Sequence, residues 1–469
     1  MGLVAGVDSS TQSCSVIVCD TETGAVVRSS RAAHPPGTEV PAQAWWDAYA
    51  EATREPALLA GVEAMAVGGQ QHGMVTLDED GAPVRDAVLW NDNRSAPDAI
   101  DLIAELGGAQ AWADQVGSVP LASITVTKLR WLARAEPDNA ARTAQVLLPH
   151  DWLTWQLGGG LDPVTDRGDA SGTGYFDATA GIYRDDLVRL ALGHELRLPR
   201  VAAPDAVVGE TPNGVRLAAG TGDNMAAALG LGLTAGAAVV SLGTSGTAFT
   251  TSPHQTHDST GTVAGFADAT GAFLPLVCTL NAARNLAATA RLLNVGLAEF
   301  AELALTAPPG SDGVTFVPYL EGERTPPLPT ATGELVGLRL ANLLPANLAR
   351  AAIEGILWSL AYGLRVMQQH GQTIERVILT GGAAKSAAVQ QIAPAVFGLP
   401  VTLTDVAESV AVGAARQAAW ALTGELPIWP VPQVGQVDPT EADLDAAVMI
   451  HERYSAAVRD HYDSPLTSA

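Results

Sequence analysis

Cysteine is scarce. Cys14, Cys19 and Cys278 are the only three among 469 residues. An odd number with no C-x-x-C spacing excludes a disulfide framework and a zinc cluster, and it suits a reducing compartment, so the chain is expected in the cytoplasm. Lysine is scarcer still. Lys128 and Lys385 stand alone, and the other 24 of the 26 basic residues are arginines. Acids number 50, which gives a net charge of −24 and a pI near 4.6. Such a surface repels phosphate backbones and anionic lipid, which excludes nucleic acid and membrane surfaces as partners and leaves a homodimer open. The opening MGLVAGVDSS has no basic segment ahead of an apolar one, so no signal peptide is expected. The uncharged stretch 224–253 is broken by Gly230, Gly232, Gly236, Gly243 and Gly246. A spanning helix needs ~20 predominantly apolar residues, so this stretch is expected to form a buried helix, a turn and a strand. GxxxxGK[ST], GxSxG, HExxH and a correctly spaced dinucleotide fingerprint are absent as well, which excludes a P-loop and the hydrolase and zinc-protease signatures.

What the sequence does have is length and apolar content. With 47% hydrophobic residues, the chain can bury a large core, and disorder is excluded. LVAGVD, CSVIVCD and AVVRSS are three short β-rich runs separated by polar turns, a meander. A helical pattern follows over 45–60, then strands over 64–68 and 84–90, and alternating helices and loops over 96–160. A second meander begins at Ala237, AVVSLG then TAFTTS, with the same layout. Helices are expected over 281–293, 348–370, 387–397 and 440–462, with the strand RVILTG before the third. Alternating strands and helices predict α/β layers around a buried sheet. Two similar openings half a chain apart predict two related domains, 1–231 and 232–469.

Three turns rich in small residues follow strands: Asp8–Ser13, Leu242–Gly246 and Thr380–Ser386. Such turns expose backbone N–H groups and hydroxyls that cradle phosphate without lysine; each is equally readable as an ordinary turn. Asp8 ends an apolar strand, where a carboxylate suits Mg²⁺ through water or caps its own turn. Asp223 precedes an Ala/Leu helix. It reads as a helix N-cap, as a general base toward a hydroxyl, or as both. In GGQQHGM, Gln71 and His72 end a strand between glycines, where polar side chains face a ligand crevice and can hydrogen-bond a polyol.

Together GVDSSTQS (6–13), GGQQHGM (68–74), LWNDNR (89–94), PHDWL (149–153), TDRGDASGT (165–173), GTGDNMAAALG (220–230), SLGTSG (241–246), VPYLEGERTP (317–326) and TGGAAKS (380–386) resemble the FGGY carbohydrate kinases, with LWNDNR and QHG pointing to the xylulose branch. The resemblance covers the chain to about residue 425. It implies two actin-like, ribonuclease H-like domains around an ATP/sugar cleft. It also implies MgATP-dependent phosphorylation of the terminal primary hydroxyl of a ketopentose, D-xylulose. By position Asp223 would be the base with Asn224 beside it, and Gln71 and His72 would contact the sugar. Asp8 would hold the Mg²⁺ environment, and Thr11 and Gln12 would lie near the terminal phosphates. Gly243 and Thr244 would cradle phosphate, and Gly381, Gly382 and Lys385 would line the adenine end. Three residues depart from the family pattern: Ser10 and Ala383 stand where glycine is usual, and Gln71 where methionine is frequent. Ser10 would be strained if the backbone there needed φ > 0. The alternatives are a kinase for ribulose, gluconate or glycerol, or a non-catalytic ATP-binding protein on the same fold. Trp45 and Trp46 are expected to pack, and Arg94 to pair internally.

Overall fold

A computed structural model describes residues 2–160 and 162–462. Met1, Leu161 and 463–469, and with them the last residues of the expected second domain, lie outside the described residues. The chain forms two compact units. One comprises the chain up to Leu233 together with Ser252–Leu274 and Val406–Val431; the other comprises Thr234–Thr251, Pro275–Asp405 and the chain from Pro432.

In the first unit, Leu3–Ser9, Ser13–Asp20 and Val26–Ala33 form an antiparallel meander. Every residue of SCSVIVCD is buried, whereas VVRSSRAA alternates between exposed and half-buried, as a partnered strand and an edge strand should. Leu3–Ser9 also pairs in parallel with Val62–Gly69, which in turn carries Arg216–Ala218 and the short Thr221–Gly222 in parallel. One face of this sheet packs Val7, Val16 and Val18 against Trp45 and Tyr49 of the helix Gln43–Ala52. That helix stops well short of residue 60, because Pro56 cannot continue it and restricts the residue before it. Trp45 is fully buried and meets Trp152 edge-on at 6.0 Å. The other face packs Val4, Ile17 and Cys19 against an alanine-rich helix, Ser409–Thr423, from late in the chain. The approach is so close that a Cβ on Gly6 would strike the Ala411 carbonyl oxygen.

The second unit repeats the layout. Gly236–Leu242 forms a hairpin with Gly246–Thr250 and pairs in parallel with Ile374–Thr380, followed by Val401–Thr404 and Gln433–Val437. Residues 276–279 pair with Gly246–Thr250 on the other side. The 25-residue helix Pro345–Gln369 is buried along most of its length. The uncharged stretch is a helix, Asp223–Gly230, followed by that hairpin. Only Ala87–Val88 is strand within 84–90; the final helix is Glu441–His461. No helix among the described residues is long and apolar enough to cross a membrane.

Candidate functional site

Three neighbouring strands of the first unit end together. Asp8 is in register with Gly68, which is in register with Thr221; one residue on, Ser9 aligns with Gly69 and Gly69 with Gly222. All three strands are parallel, so Asp8, Gln71 and Asp223 leave the same carboxyl edge of the sheet, where open α/β sheets bind ligands. Gln70 stays tied to the sheet through its N–H on the Ser9 carbonyl, 3.1 Å.

Asp223 is the first residue of its helix rather than the cap. Gly222 occupies the N-cap, with φ −63° and ψ 153°. The carboxylate is half-buried and its Oδ1 accepts two bonds from Asn224, from the backbone N–H at 2.8 Å and from Nδ2 at 2.9 Å. Asn224 Nδ2 also donates to Gln71 Oε1 at 3.0 Å. Burial raises Asp223 to about 8, and the charges of Asp8 and Asp169 add to the rise. A carboxyl held there is a competent proton acceptor near neutral pH.

Burial likewise raises Asp8 to about 7; the Ser10 hydroxyl, which donates to Asp8 Oδ1, pulls it down and the charge of Glu408 pushes it up. Ser10 is not among the residues with positive φ, so the departure from glycine carries no left-handed strain and supplies a hydroxyl to Asp8 instead. Asp8 offers a hard oxygen donor at that edge, and its charge acts on Asp223 nearby. That chemistry fits a magnesium ion. Thr11 is half-buried and its hydroxyl accepts from Trp90 Nε1 at 2.8 Å, while Gln12 is exposed. Trp90 opens the WNDNR turn. There Asp92 accepts from Thr38 and from Arg94, which also pairs with Glu39 and lies over the Trp131 ring; Arg94 is thus internally paired.

His72 adopts φ 66°, the left-handed region that a non-glycine residue occupies at a cost of ~1–3 kcal/mol. Its Nδ1–H donates to the Gly172 carbonyl at 2.7 Å, its own carbonyl accepts from the Thr125 hydroxyl at 3.1 Å, and its ring lies 5.5 Å from Phe266. A Cβ on Gly172 would sit 2.7 Å from this ring. The strained turn is therefore pinned on every side.

Behind Gln71 lies a set of residues whose importance the sequence did not reveal. His150, Asp151, Asp166 and Asp169 are all buried. His150 Nδ1 is 2.6 Å from Asp169 Oδ2, and Nε2 is 3.3 Å from the Ala219 carbonyl. A carbonyl only accepts and an ionised carboxylate only accepts, so with Asp169 ionised both ring nitrogens carry hydrogen and the ring is an imidazolium. Burial opposes that charge, but Asp151, Asp169 and Asp166 outweigh it and raise His150 to about 10. His150, Asp151 and Asp169 have metal-like spacing, with ligand atoms within 4.8 Å, yet an imidazolium offers a metal no lone pair. The available signal was charge inside otherwise small or apolar motifs, PHDWL and TDRGDASGT.

The second unit gathers the other predicted residues. Gly381, at φ 94°, lies against the Leu242 backbone, where a Cβ would sit 2.7 Å from its N, C and O atoms. With Ser241 in register with Thr380, this packs the Leu242–Gly246 turn beside the Thr380–Ser386 turn. The Gly243 carbonyl accepts from Ala283 N at 3.0 Å. Gly382, Thr244 and Lys385 are exposed, and no atom would obstruct a Cβ at Gly382 within 4 Å. Residues 382–385 form a short 3₁₀ turn ahead of the helix Ala387–Phe397.

Comparison with known proteins gives a consistent result. Residues 3–239 match the N-terminal domain of the FGGY family of carbohydrate kinases and residues 238–422 its C-terminal domain. The xylulose kinase of Streptomyces coelicolor is 48% identical over 438 residues, 90% of this chain and 89% of that protein. The xylulose kinase of Streptomyces rubiginosus is 47% identical over 443 residues, 91% and 89% of the two chains. The crystal structure of xylulose kinase from Bifidobacterium adolescentis superposes with a TM-score of 0.87 at 44% identity, covering 96% of this chain and 99% of that one.

Proposed function

The chain belongs to the FGGY family of carbohydrate kinases, with the actin-like α/β fold of that family, and on that premise we propose that it phosphorylates the terminal primary hydroxyl of D-xylulose to D-xylulose 5-phosphate with ATP as donor. It is a sugar kinase; the choice of D-xylulose is supported by the xylulose kinases that it matches along nine-tenths of its length. The observation that carries the mechanism is the Asp223 carboxylate. It stands at the carboxyl edge of the first sheet with Oδ1 engaged by Asn224 and its pKa raised into the working range.

Asp223 takes the proton of the sugar hydroxyl as its oxygen forms a bond to the γ-phosphorus, and the bond from that phosphorus to the bridging oxygen of the departing ADP breaks. The proton then leaves Asp223 for solvent. Such transfers depend on positioning and charge neutralisation more than on covalent help. Asn224 and the strained His72 turn hold the acceptor edge, and His72 binds the sugar. Asp8, with Ser10 bonded to it, would hold a magnesium ion, which when bound would supply neutralisation of charge on the transferring phosphoryl group. Thr11 and Gln12 lie toward the terminal phosphates. Gly243 and Thr244 bind phosphate in the second unit, and Gly381, Gly382 and Lys385 bind the adenosine side. The domain assignment 1–231 for sugar and 232–469 for nucleotide belongs to the same proposal. A cytoplasmic location is supported by three cysteines that are buried and outside any disulfide.

The test is coupled ADP release with MgATP against D-xylulose, D- and L-ribulose, gluconate, glycerol and no sugar. D-Xylulose should give the highest kcat/KM. A higher value for another sugar would overturn the substrate, and release indifferent to any sugar would overturn the kinase reading.

A further inference from the structure

Asp151, Asp166 and Asp169 surround one buried imidazolium, and their bonds differ in kind. Asp166 accepts from Gly168 N, Asp169 N and the Thr221 hydroxyl at 2.7–2.8 Å, which fixes the short helix Arg167–Ser171. Asp151 Oδ2 accepts from Leu148 N at 2.8 Å and closes the first turn of the helix Pro149–Leu157. Both have local structural duties. Asp169 has none of this kind. Its Oδ2 meets His150, and its Oδ1 has no protein hydrogen bond within normal geometry, although it is buried. Burial raises the Asp169 carboxyl, and His150 and, less strongly, the Gln71 amide pull it back. Gln71 Nε2 is also buried without another partner.

The amide therefore has one arrangement. Its Oε1 accepts from Asn224 Nδ2, which leaves the buried Nε2 as the group that acts on the equally buried, unpartnered Oδ1 of Asp169. Packing holds it there: a Cβ on Gly222 would lie 2.7 Å from Gln71 Cγ. His150 is held in the same way. A Cβ on Gly69 would lie 2.6 Å from its Cβ, and one on Gly220 2.7 Å from its Cδ2. With both hydrogens of Asn224 Nδ2 committed, one to Gln71 and one to Asp223 Oδ1, the Asn224 carbonyl oxygen and Asp223 Oδ2 remain as acceptors.

We propose that Asp169, clamped by His150, is a positioning residue that acts through Gln71 and Asn224 to fix the Asp223 carboxylate, so that Oδ1 is occupied and Oδ2 is the oxygen that takes the proton. This rests on the kinase reading above. It also reassigns Gln71, expected from sequence as a sugar contact, to a link between a buried ion pair and the base. A buried ion pair is weak evidence for stability, since a well-packed apolar replacement often does as well. Its place directly behind the base supplies a different reason for its presence.

The experiment is a double-mutant cycle on the full chain, with Asp169→Asn and Gln71→Leu alone and together. Initial rates are measured while varying sugar and ATP separately. Each single variant should lower kcat roughly 10- to 100-fold, the scale of a small misplacement of a reacting group, with the KM for ATP unchanged. The double variant should be no worse than the poorer single one, because both cut the same chain. Multiplicative losses, or a matching rise in the KM for ATP, would overturn the proposal. If Asp169→Asn does not accumulate folded, Gln71→Leu decides alone: a loss in kcat supports the link, and a loss confined to the KM for sugar returns Gln71 to simple sugar contact. Sugar-stimulated ADP release by the unaltered protein is run alongside. Its absence would sink the kinase reading, whereas its presence with an additive cycle sinks only the positioning role.

Discussion

Replacing Asp223 by asparagine should destroy activity and strengthen the fold, and the second effect should depend on pH. Asparagine has nearly the same shape and keeps an oxygen for the two Asn224 donors. It removes a charge that the folded protein resists holding. A carboxyl whose folded-state pKa is raised binds its proton more tightly in the native state than in the unfolded one. Its stabilising contribution is therefore complete below its ordinary value of 3.8 and is lost progressively as pH rises to about 8. Each pH unit crossed in that window costs at most about 1.4 kcal/mol. Solvent reaches this half-buried group and screens it, so a realistic cost at pH 8.5 is on the order of 2–3 kcal/mol. For units of this size that corresponds to roughly 3–6 °C in Tm. Asp223→Asn should thus melt about 3–6 °C above the unaltered chain at pH 8.5 and within about 2 °C of it at pH 5. Thermal denaturation in chelator at both pH values reads this directly. Coupled ADP release should fall about 10²- to 10⁴-fold. Equal or lower stability at pH 8.5, or the same difference at both pH values, would refute the account of Asp223 as a half-buried, self-repelled carboxylate.

Magnesium should raise Tm more at pH 8.5 than at pH 5.5, because Asp8, raised to about 7, must ionise to receive it; Asp8→Asn should remove most of that shift, and a pH-independent shift would place the ion elsewhere. Gly381→Ala puts a methyl 2.7 Å from the Leu242 backbone at φ 94°. It should cost about 1–3 kcal/mol of stability and raise the KM for ATP while sparing the KM for sugar; an unchanged KM for ATP would remove that turn from the nucleotide site. Gly6→Ala should destabilise the first unit by several kcal/mol, because its Cβ would strike the Ala411 carbonyl oxygen; limited proteolysis should then release the segment around Ser409–Thr423, and an unchanged melting curve would show that this helix yields readily.

Much of the site could be read in the sequence because its signals are local. An apolar strand ending in Asp-Ser-Ser-Thr, or in Gly-Gly-Gln-Gln-His, carries its own evidence in period and turn chemistry. The two strand–turn–strand openings were visible for the same reason, and so was the uncharged stretch as helix and hairpin. What remained hidden depends on partners distant in sequence. His150 and Asp169 are 19 residues apart, and neither shows by itself that it meets the other or that Gln71 stands between the pair and Asn224. Ser10 read as a replacement of glycine that would be strained only at positive φ. Its φ is not positive and its hydroxyl serves Asp8, which only the backbone conformation could reveal.

The sequence by itself determined the alternation of elements, the three small-residue turns and the carboxylates that end strands, because strand period, helix period and turn propensity act over a few residues. Tertiary structure decided which strand ends lie side by side, that Ser409–Thr423 returns to cover the first sheet, and that four buried ionisable groups sit behind Gln71. Those outcomes depend on close packing and on desolvation, and both are properties of neighbours brought together by folding rather than of any stretch of chain.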